Sequence, residues 1–136
     1  MTPTAILESA LYADDLDAAE DFYTRVMGLT RIARAPGRHV FFRCGAGVLL
    51  VFDPAATEQP PAPDARLPVP PHGARGPGHL CFSADTGEIA RWKAHLATHG
   101  VAVEADFAWP DGGRSIYFRD PAGNSLEFAE PRIWGL

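Results

Sequence analysis

The sequence predicts an α+β fold built from two βαβββ modules, and three observations lead to this prediction. The order strand, helix and three strands occurs twice within the 136 residues. Each predicted helix carries a single apolar stripe, which is typical of a helix packed on a sheet. A long proline-rich segment separates the two copies. We predict a single domain with four parts. Module 1 spans residues 4–53, the linker 54–77, module 2 78–130 and a short tail 131–136.

The composition argues against several classes of protein. A net charge of −5 and a pI of 5.4 disfavour nucleic acid or an anionic membrane as a partner. No apolar run approaches the roughly 20 residues that a membrane span needs. The N-terminus lacks a basic-then-apolar signal pattern, so we expect a cytoplasmic protein. Cys44 and Cys81 are too few for a disulfide framework, and we interpret both as small buried side chains.

Module 1 begins with a weakly alternating strand at Thr4–Tyr12. Asp14 and Asp15 then predict a helix start, because Asp accepts hydrogen bonds from the free N–H groups of a first turn. The apolar stripe of this helix consists of Leu16, Ala19, Phe22, Tyr23 and Val26. Gly28 predicts its end. The three strands that follow are predicted at Leu29–Ala35, His39–Cys44 and Gly47–Asp53.

The segment from Pro54 to Gly78 differs from the rest of the chain. It contains eight of the 13 prolines and almost no aromatic or periodic content. We interpret it as an extended linker or flap, with a simple crossover between the modules as the alternative.

Module 2 repeats the pattern, starting with a strand at His79–Ser83. The run from Asp85 to Glu88 resembles a capping box, with Asp as the cap. The apolar stripe of the helix consists of Ile89, Trp92 and Leu96, and the helix is predicted to end at Gly100. The remaining predicted strands are Val101–Trp109, Ser115–Phe118 and Ser125–Ala129. The last two form a hairpin, because the residues between them, 120–124, carry strong turn signals.

Glu127 is the most informative residue of this hairpin. Successive strand residues point to opposite faces, so Leu126 and Phe128 point one way and Glu127 the other. In the repeat, Glu8 and His79 occupy equivalent positions on the first strands of the two modules. Val51 and Glu127 occupy equivalent positions on the last strands. If the modules pack about a pseudo-twofold axis, these four positions converge, and three of them carry groups that bind metals.

Several short motifs resemble those of the vicinal oxygen chelate superfamily, which includes glyoxalase I, extradiol dioxygenases, fosfomycin-modifying enzymes and bleomycin-binding proteins. The motifs are Asp15-Leu16, Asp21-Phe22-Tyr23, Gly78-His79-Leu80, Phe118-Arg119-Asp120-Pro121 and Gly123-Asn124-Ser125-Leu126-Glu127. The resemblance implies an open, curved mixed sheet that forms a cup, with helices on its outer face and a divalent metal inside.

The family pattern implies three metal ligands in this chain, Glu8, His79 and Glu127. The first ligand is most often His in the family, whereas this chain has Glu8. Glyoxalase I places a fourth ligand where Val51 stands, and Val cannot bind a metal. Two carboxylates and one imidazole suit Fe²⁺ or Mn²⁺ first, with Zn²⁺, Ni²⁺, Co²⁺ or Mg²⁺ as further candidates.

The resemblance predicts a metal-dependent enzyme of the glyoxalase or dioxygenase type, acting on a small molecule through vicinal oxygens. Glu127 is the candidate catalytic base. Four residues are candidates for substrate binding: Trp109, Arg114, Tyr117 and Trp134. The alternative is a non-catalytic, drug-sequestering protein of the bleomycin-resistance type. We also expect a homodimer, as in small members of the family. His95 and His99 fit the solvent-facing end of a helix better than a metal site.

Overall fold

The computed structural model describes residues 1–136, which form two compact units, Met1–Gly76 and Pro77–Leu136. Each unit contains its own open four-stranded sheet. One parallel strand pair makes each sheet mixed, since all its other pairs are antiparallel. The predicted α+β fold of two βαβββ modules is therefore confirmed.

Unit 1 follows the predicted order of elements and adds one short helix. Its strands and helices are β1 (Glu8–Tyr12), α1 (Leu16–Asp21), β2 (Thr30–Ala35), β3 (His39–Cys44), β4 (Gly47–Phe52) and α2 (Pro54–Thr57). The strand order is β1-β4-β3-β2, with β1 parallel to β4. A π-helical turn, Phe22–Val26, continues α1. The first strand is shorter than expected, because regular pairing begins at Glu8 rather than Thr4.

Helix α1 covers one face of this sheet. The Asp15 carboxylate caps it by accepting hydrogen bonds from the backbone N–H groups of Asp17 and Ala18. All five residues of the predicted stripe are buried, at 7% exposure or less. They pack with the matching face of the strands, whose buried side chains are Leu11, Val40, Phe42, Leu49 and Val51. This apolar layer is the core of unit 1.

The proline-rich segment, predicted as an extended linker or flap, contacts the rest of unit 1. It starts with helix α2, whose first turn is capped by the Asp53 carboxylate. Further along, the Tyr12 hydroxyl lies 2.8 Å from Nδ1 of His72, and the N–H of His72 donates to the carbonyl of Thr57 at 3.0 Å. The hydrogen bond to Thr57 and the ion pair of Arg75 with Glu58 lie within the segment and hold its later part close to α2. The contact of His72 with Tyr12 therefore holds the segment against the first strand of unit 1.

Unit 2 has the same plan without the extra helix. Its elements are β5 (His79–Ser83), α3 (Thr86–Thr98), β6 (Ala105–Ala108), β7 (Arg114–Arg119) and β8 (Ser125–Ala129). The strand order is β5-β8-β7-β6, with β5 parallel to β8. Strand β6 is shorter than the predicted Val101–Trp109, and a 3₁₀ turn, Pro131–Trp134, ends the unit. No helix in residues 1–136 has both the length and the apolar surface to cross a lipid bilayer.

The capping box predicted for α3 is confirmed. The Asp85 carboxylate accepts a hydrogen bond from the N–H of Glu88, and the Glu88 carboxylate accepts one from the N–H of Asp85. Ile89 and Leu96 are fully buried, and the Trp92 ring stacks on the core ring of Phe128 with centroids 4.4 Å apart. Helix α3 therefore holds one face of the unit 2 sheet, leaving the other face for function.

The two units differ by one residue in the loop before their last strands. In unit 1 the paired residues Arg43 and Val48 enclose four residues, whereas in unit 2 the pair Arg119 and Ser125 encloses five. The offset between the units is therefore 76 residues for Arg43 and Arg119 but 77 for Val48 and Ser125.

Because of this extra loop residue, the prediction that Val51 is the counterpart of Glu127 is wrong. Strand pairing makes Leu50, rather than Val51, the counterpart of Glu127. Val51 is 0% exposed and lies in the core under α1. Because strand side chains alternate, a shift of one residue moves a side chain to the other face. Leu50 also has no metal-binding group, so unit 1 offers no fourth ligand on this strand.

Candidate active site

A polar row crosses the face of the unit 2 sheet that α3 leaves uncovered. Cys81 on β5 and Tyr117 on β7 are the two direct pairing partners of Glu127 on β8. The flanking residues Leu126 and Phe128 are 0% and 3% exposed in the core, so the pleat directs Glu127 to the opposite face. The alternation read from the sequence is confirmed for these three residues. We call this side of the sheet the open face of unit 2.

Glu127 lies beside His79, the first residue of β5. Oε2 of Glu127 is 3.3 Å from Nε2 of His79. The carboxylate is buried, with 6% of its side chain exposed, whereas 53% of the imidazole is exposed. The pair therefore joins a sheltered anionic group to a ring that solvent or a ligand can reach.

The backbone determines which ring nitrogen of His79 carries a proton. Nδ1 lies 3.0 Å from the carbonyl oxygen of Ser125. A carbonyl can only accept a hydrogen bond, so Nδ1 is the donor in this contact. Nε2 is then either protonated, giving an ion pair with Glu127, or it presents a lone pair beside a carboxylate oxygen. A cation would stabilise the second arrangement, and ligating His residues commonly donate their other N–H to a backbone carbonyl.

The second carboxylate oxygen of Glu127 has no hydrogen-bond partner. Oε1 is buried, although a buried polar atom without a partner typically costs about 1–3 kcal/mol. Native proteins satisfy most such atoms, and exceptions often mark a site for an ion or a catalytic group. The chemistry of Oε1 and Nε2 therefore fits a divalent cation.

Burial and the Glu127 charge together disfavour ionisation of the neighbouring groups. Burial raises the pKa of the Cys81 thiol to about 12, and the Glu127 charge adds to the rise. Burial also raises the pKa of the Tyr117 hydroxyl to about 12, with its polar contact to the Glu127 carboxylate as the second cause and the Glu127 charge as the third. Both groups are therefore neutral near pH 7. The Cys81 thiol is surrounded by protein atoms on one side, but the residue as a whole is exposed, and Cys44 is half-buried, which corrects the prediction that both are buried.

Aromatic rings extend the open face from Glu127 towards strand β6. The Tyr117 ring lies between those of His79 and Phe107, with centroids 6.2 Å and 5.8 Å away. Trp109 lies 5.1 Å beyond Phe107, and its Nε1–H donates to the hydroxyl of Ser115 at 2.8 Å. The sequence prediction included Trp109 and Tyr117 but missed Phe107. The alternation of Phe107 with Trp109 was a signal that could have identified it.

Two other predicted substrate-binding residues lie elsewhere. Arg114 makes a bidentate ion pair with Asp106, whose carboxylate also contacts Lys93 on α3. The Arg114 side chain is therefore on the helix-covered face, opposite Glu127, because it lies an odd number of residues from Tyr117 on β7. Trp134 lies in the C-terminal 3₁₀ turn and is 79% exposed.

Glu8 is exposed at the start of β1 in unit 1, where it pairs with Val48. Throughout residues 1–136, no group of three or more His, Cys, Asp or Glu side chains is arranged to hold a metal ion. His79 and Glu127 thus offer two ligands, and a complete site needs a further one. His95 and His99 stack on each other at the end of α3, with centroids 4.3 Å apart.

Comparison with known proteins identifies relatives over the whole chain. A lactoylglutathione lyase from Agrobacterium tumefaciens has 49% sequence identity and a TM-score of 0.93, with 100% of both chains covered. A glyoxalase/bleomycin resistance protein/dioxygenase from Nocardioides shares the fold at 23% identity, with a TM-score of 0.73 over 96% of this chain and 85% of that chain. No curated protein sequence matches the chain.

An integron cassette protein from a Halifax Harbour sewage outfall also shares the fold. It has 22% identity and a TM-score of 0.74, covering 94% of this chain and 99% of that chain. The family model of the glyoxalase/bleomycin resistance protein/dioxygenase superfamily matches residues 5–128, which include both first strands and the Glu127 position. The chain therefore belongs to the glyoxalase/bleomycin resistance protein/dioxygenase superfamily.

Proposed function

We propose that this protein is a divalent-metal-dependent enzyme of the glyoxalase type, with lactoylglutathione lyase activity. The observation that carries the proposal is the buried carboxylate of Glu127, which has one oxygen beside His79 and one oxygen without a partner. The 49% identity with a lactoylglutathione lyase along the full chain supports the same reaction. The substrate class is a small organic molecule with two vicinal oxygens.

We propose His79, Glu127 and Glu8 as the residues that hold the metal. Nε2 of His79 and the carboxylate oxygens suit Fe²⁺ or Mn²⁺, and Zn²⁺, Ni²⁺, Co²⁺ and Mg²⁺ accept the same donors. When bound, the metal supplies a Lewis acid that polarises a substrate oxygen and stabilises negative charge there. Ser125 contributes through its carbonyl, which orients the imidazole of His79.

Glu127 also has the properties of a general base. The proposed reaction converts the adduct of a thiol with an α-ketoaldehyde into an α-hydroxy thioester. One proton leaves the carbon that carries sulfur and one reaches the neighbouring carbon. The hydroxyl proton passes from the oxygen of the first carbon to the oxygen of the second, so the overall change is an isomerisation. A sheltered carboxylate can accept the first proton and return it to the second carbon. The neutral Tyr117 hydroxyl and Cys81 thiol on either side leave Glu127 as the basic group of this row.

A homodimer is part of the proposal, because twofold pairs are the commonest assemblies of soluble proteins, and it bears on the source of the third metal ligand. Glu8 can be supplied by the same chain or by a second copy. Mixing Glu8→Gln protein with Glu127→Gln protein distinguishes these cases. Shared sites would recover part of the activity as the chains exchange, whereas sites within one chain would leave the mixture inactive.

Metal content and turnover of freshly purified, untagged protein test the proposal. We expect about one Fe or Mn ion per chain, and its loss in Glu127→Gln and His79→Ala. Matched controls are Glu58→Gln and His99→Ala, which change the same residue types away from Glu127. Thioester formation from methylglyoxal and glutathione is followed by ultraviolet absorbance. Metal-loaded protein that forms no thioester would contradict the lyase activity.

A non-catalytic binding protein is the second candidate, and the lack of a three-residue ligand group favours it. The same measurements separate the two functions. A binding protein would contain no metal, show no affinity for added Fe, Mn, Ni or Zn, and retain a bleomycin-like ligand without changing it.

A further inference from the structure

Four rings form a continuous series on the open face of unit 2, which we call the aromatic ladder: His79, Tyr117, Phe107 and Trp109. Neighbouring ring centroids are 6.2, 5.8 and 5.1 Å apart along this order. The His79 and Tyr117 planes differ by 22°, and those of Tyr117 and Phe107 by only 9°. The ladder begins at the ring that contacts Glu127 and extends to the edge strand β6.

The outer part of the ladder is exposed although it is apolar. Phe107 is 41% exposed and Trp109 is 38% exposed. Trp109 is nevertheless held in place, because its Nε1–H donates to the hydroxyl of Ser115, which is fully buried. A rigid, solvent-exposed aromatic surface is typical of a binding site, because a ligand that covers it removes apolar surface from water and so gains binding free energy.

Charge decides what kind of ligand suits the ladder. Arg119 is the only cationic side chain that strand alternation places on this face of β7, and it pairs with Glu104 and the carbonyl of Gly123. Arg114 points to the other face and is paired with Asp106. The ladder itself therefore presents flat apolar surface without a free cation, which favours a neutral aryl group over a carboxylate.

We propose that the aromatic ladder binds an aryl group of the substrate, so that the protein prefers aryl-substituted vicinal oxygen compounds to alkyl ones. This inference rests on the proposed function, because it takes the two oxygens of the substrate to lie at His79 and Glu127. The aryl ring then lies over Tyr117 and Phe107, with Trp109 at its outer edge. The ligand class is arylglyoxals, their thiol adducts and the corresponding aryl α-hydroxy acids.

Binding of two simple acids tests the ladder without requiring turnover. Mandelate and lactate carry the same vicinal oxygens and differ only in a phenyl or a methyl group. We expect calorimetric titration of the wild-type protein to show roughly tenfold tighter binding of mandelate, since an aromatic contact adds to simple burial. Phe107→Ala should reduce this ratio to roughly twofold, and Leu67→Ala, an exposed apolar control in unit 1, should leave it unchanged.

Kinetic measurements provide the second readout. Replacing Phe107 should lower the ratio of kcat/KM for phenylglyoxal to kcat/KM for methylglyoxal roughly tenfold. Phe107→Leu, which keeps most of the volume but removes the ring, replaces Phe107→Ala if that variant fails to fold.

The outcomes separate this inference from the proposed function. Equal binding of mandelate and lactate, binding of neither acid, or a preference that survives loss of Phe107 would each overturn the role of the ladder. A mandelate preference that depends on Phe107, in a protein that turns over no dicarbonyl, would support the ladder and contradict the lyase activity.

Discussion

Units 1 and 2 share one backbone plan but present different chemistry on the sheet face that their long helices leave uncovered. The central row of unit 1 across β1, β4 and β3 consists of Ala10, Leu50 and Phe41. The matching row of unit 2 across β5, β8 and β7 consists of Cys81, Glu127 and Tyr117. Polar groups thus occupy in unit 2 the places that apolar side chains occupy in unit 1.

The covered faces of the two sheets are alike, by contrast. Phe42 and Phe118 occupy matching positions and are both 0% exposed, and Leu49 and Leu126 are 2% and 0% exposed. An apolar layer under the helix stabilises each unit by burial, and its side chains must stay large and non-polar. The apolar layer under the helix is therefore needed for the fold of both units. The uncovered face is not needed for the fold in the same way, so it can carry reactive groups in unit 2 alone.

The largest expected effect comes from making unit 2 resemble unit 1. Glu127→Leu removes the proposed base and one metal ligand, so we expect kcat to fall at least about 100-fold. Steady-state turnover of methylglyoxal and glutathione measures the loss. Leu50→Met, a volume-conserving change at the matching position of unit 1, should leave kcat within about twofold. Comparable activity in the two variants would remove Glu127 from the mechanism.

The reverse exchange tests whether unit 1 tolerates a carboxylate. Leu50→Glu places a charged group at a position that is 8% exposed and flanked by apolar neighbours. We expect the free energy of unfolding to fall by about 3 kcal/mol, as for other unpaired buried charges. Urea denaturation measures it, with Ala46→Glu in an exposed turn as the control. A loss below about 1 kcal/mol would mean that water reaches a carboxylate at this position of unit 1.

Glu127→Leu should also stabilise the metal-free protein. The variant removes a buried oxygen that has no hydrogen-bond partner, so we expect the free energy of unfolding to rise by about 1–2 kcal/mol. Urea denaturation in the presence of a chelator isolates this effect from metal binding. Asp64→Leu, at an exposed position of unit 1, should change stability by less than about 0.5 kcal/mol. A destabilised Glu127→Leu protein would show that the carboxylate has a stabilising partner.

The smallest expected effect concerns His39, which occupies in unit 1 the place of Ser115 in unit 2. Burial lowers the pKa of His39, and the nearby charge of Arg38 lowers it further. The folded state therefore binds a proton at His39 less readily than the unfolded state does. The contribution of neutral His39 to the free energy of unfolding is present above pH 6.5 and is lost as the pH falls below that value.

His39→Phe tests this sign. The variant keeps a ring to stack on Phe41, whose centroid lies 4.0 Å away. Its stability should therefore decline less between pH 7 and pH 5 than that of the wild type, by thermal denaturation at each pH. An identical decline in both proteins would mean that His39 does not contribute to the pH dependence.

Local signals explain why much of the fold could be predicted. Strands β3, β5 and β8 have the predicted bounds, and the capping box at Asp85 and Glu88 forms as expected. Each of these features depends on residues close together in sequence, such as a cap and its first turn or an alternating run beside a turn. Interactions with distant parts of the chain therefore change these features little.

The errors arose where distant parts of the chain decide the outcome. Five loop residues instead of four moved the counterpart of Glu127 from Val51 to Leu50. Arg114 was assigned to the binding face, but strand register and its ion pair with Asp106 put it on the other one. The contact of His72 in the proline-rich segment with Tyr12 was not predicted, because the two residues are 60 positions apart.

The sequence by itself determined the order of elements, the apolar stripes and the direction of the Glu127 side chain, because periodicity and turn residues act over a few positions. Only the tertiary structure decided which groups meet on the open face of unit 2. Strand pairing brought His79 within 3.3 Å of Glu127, left Oε1 without a partner and aligned Phe107 and Trp109 with Tyr117. Such contacts depend on register between strands that are far apart in the chain, which no local pattern specifies.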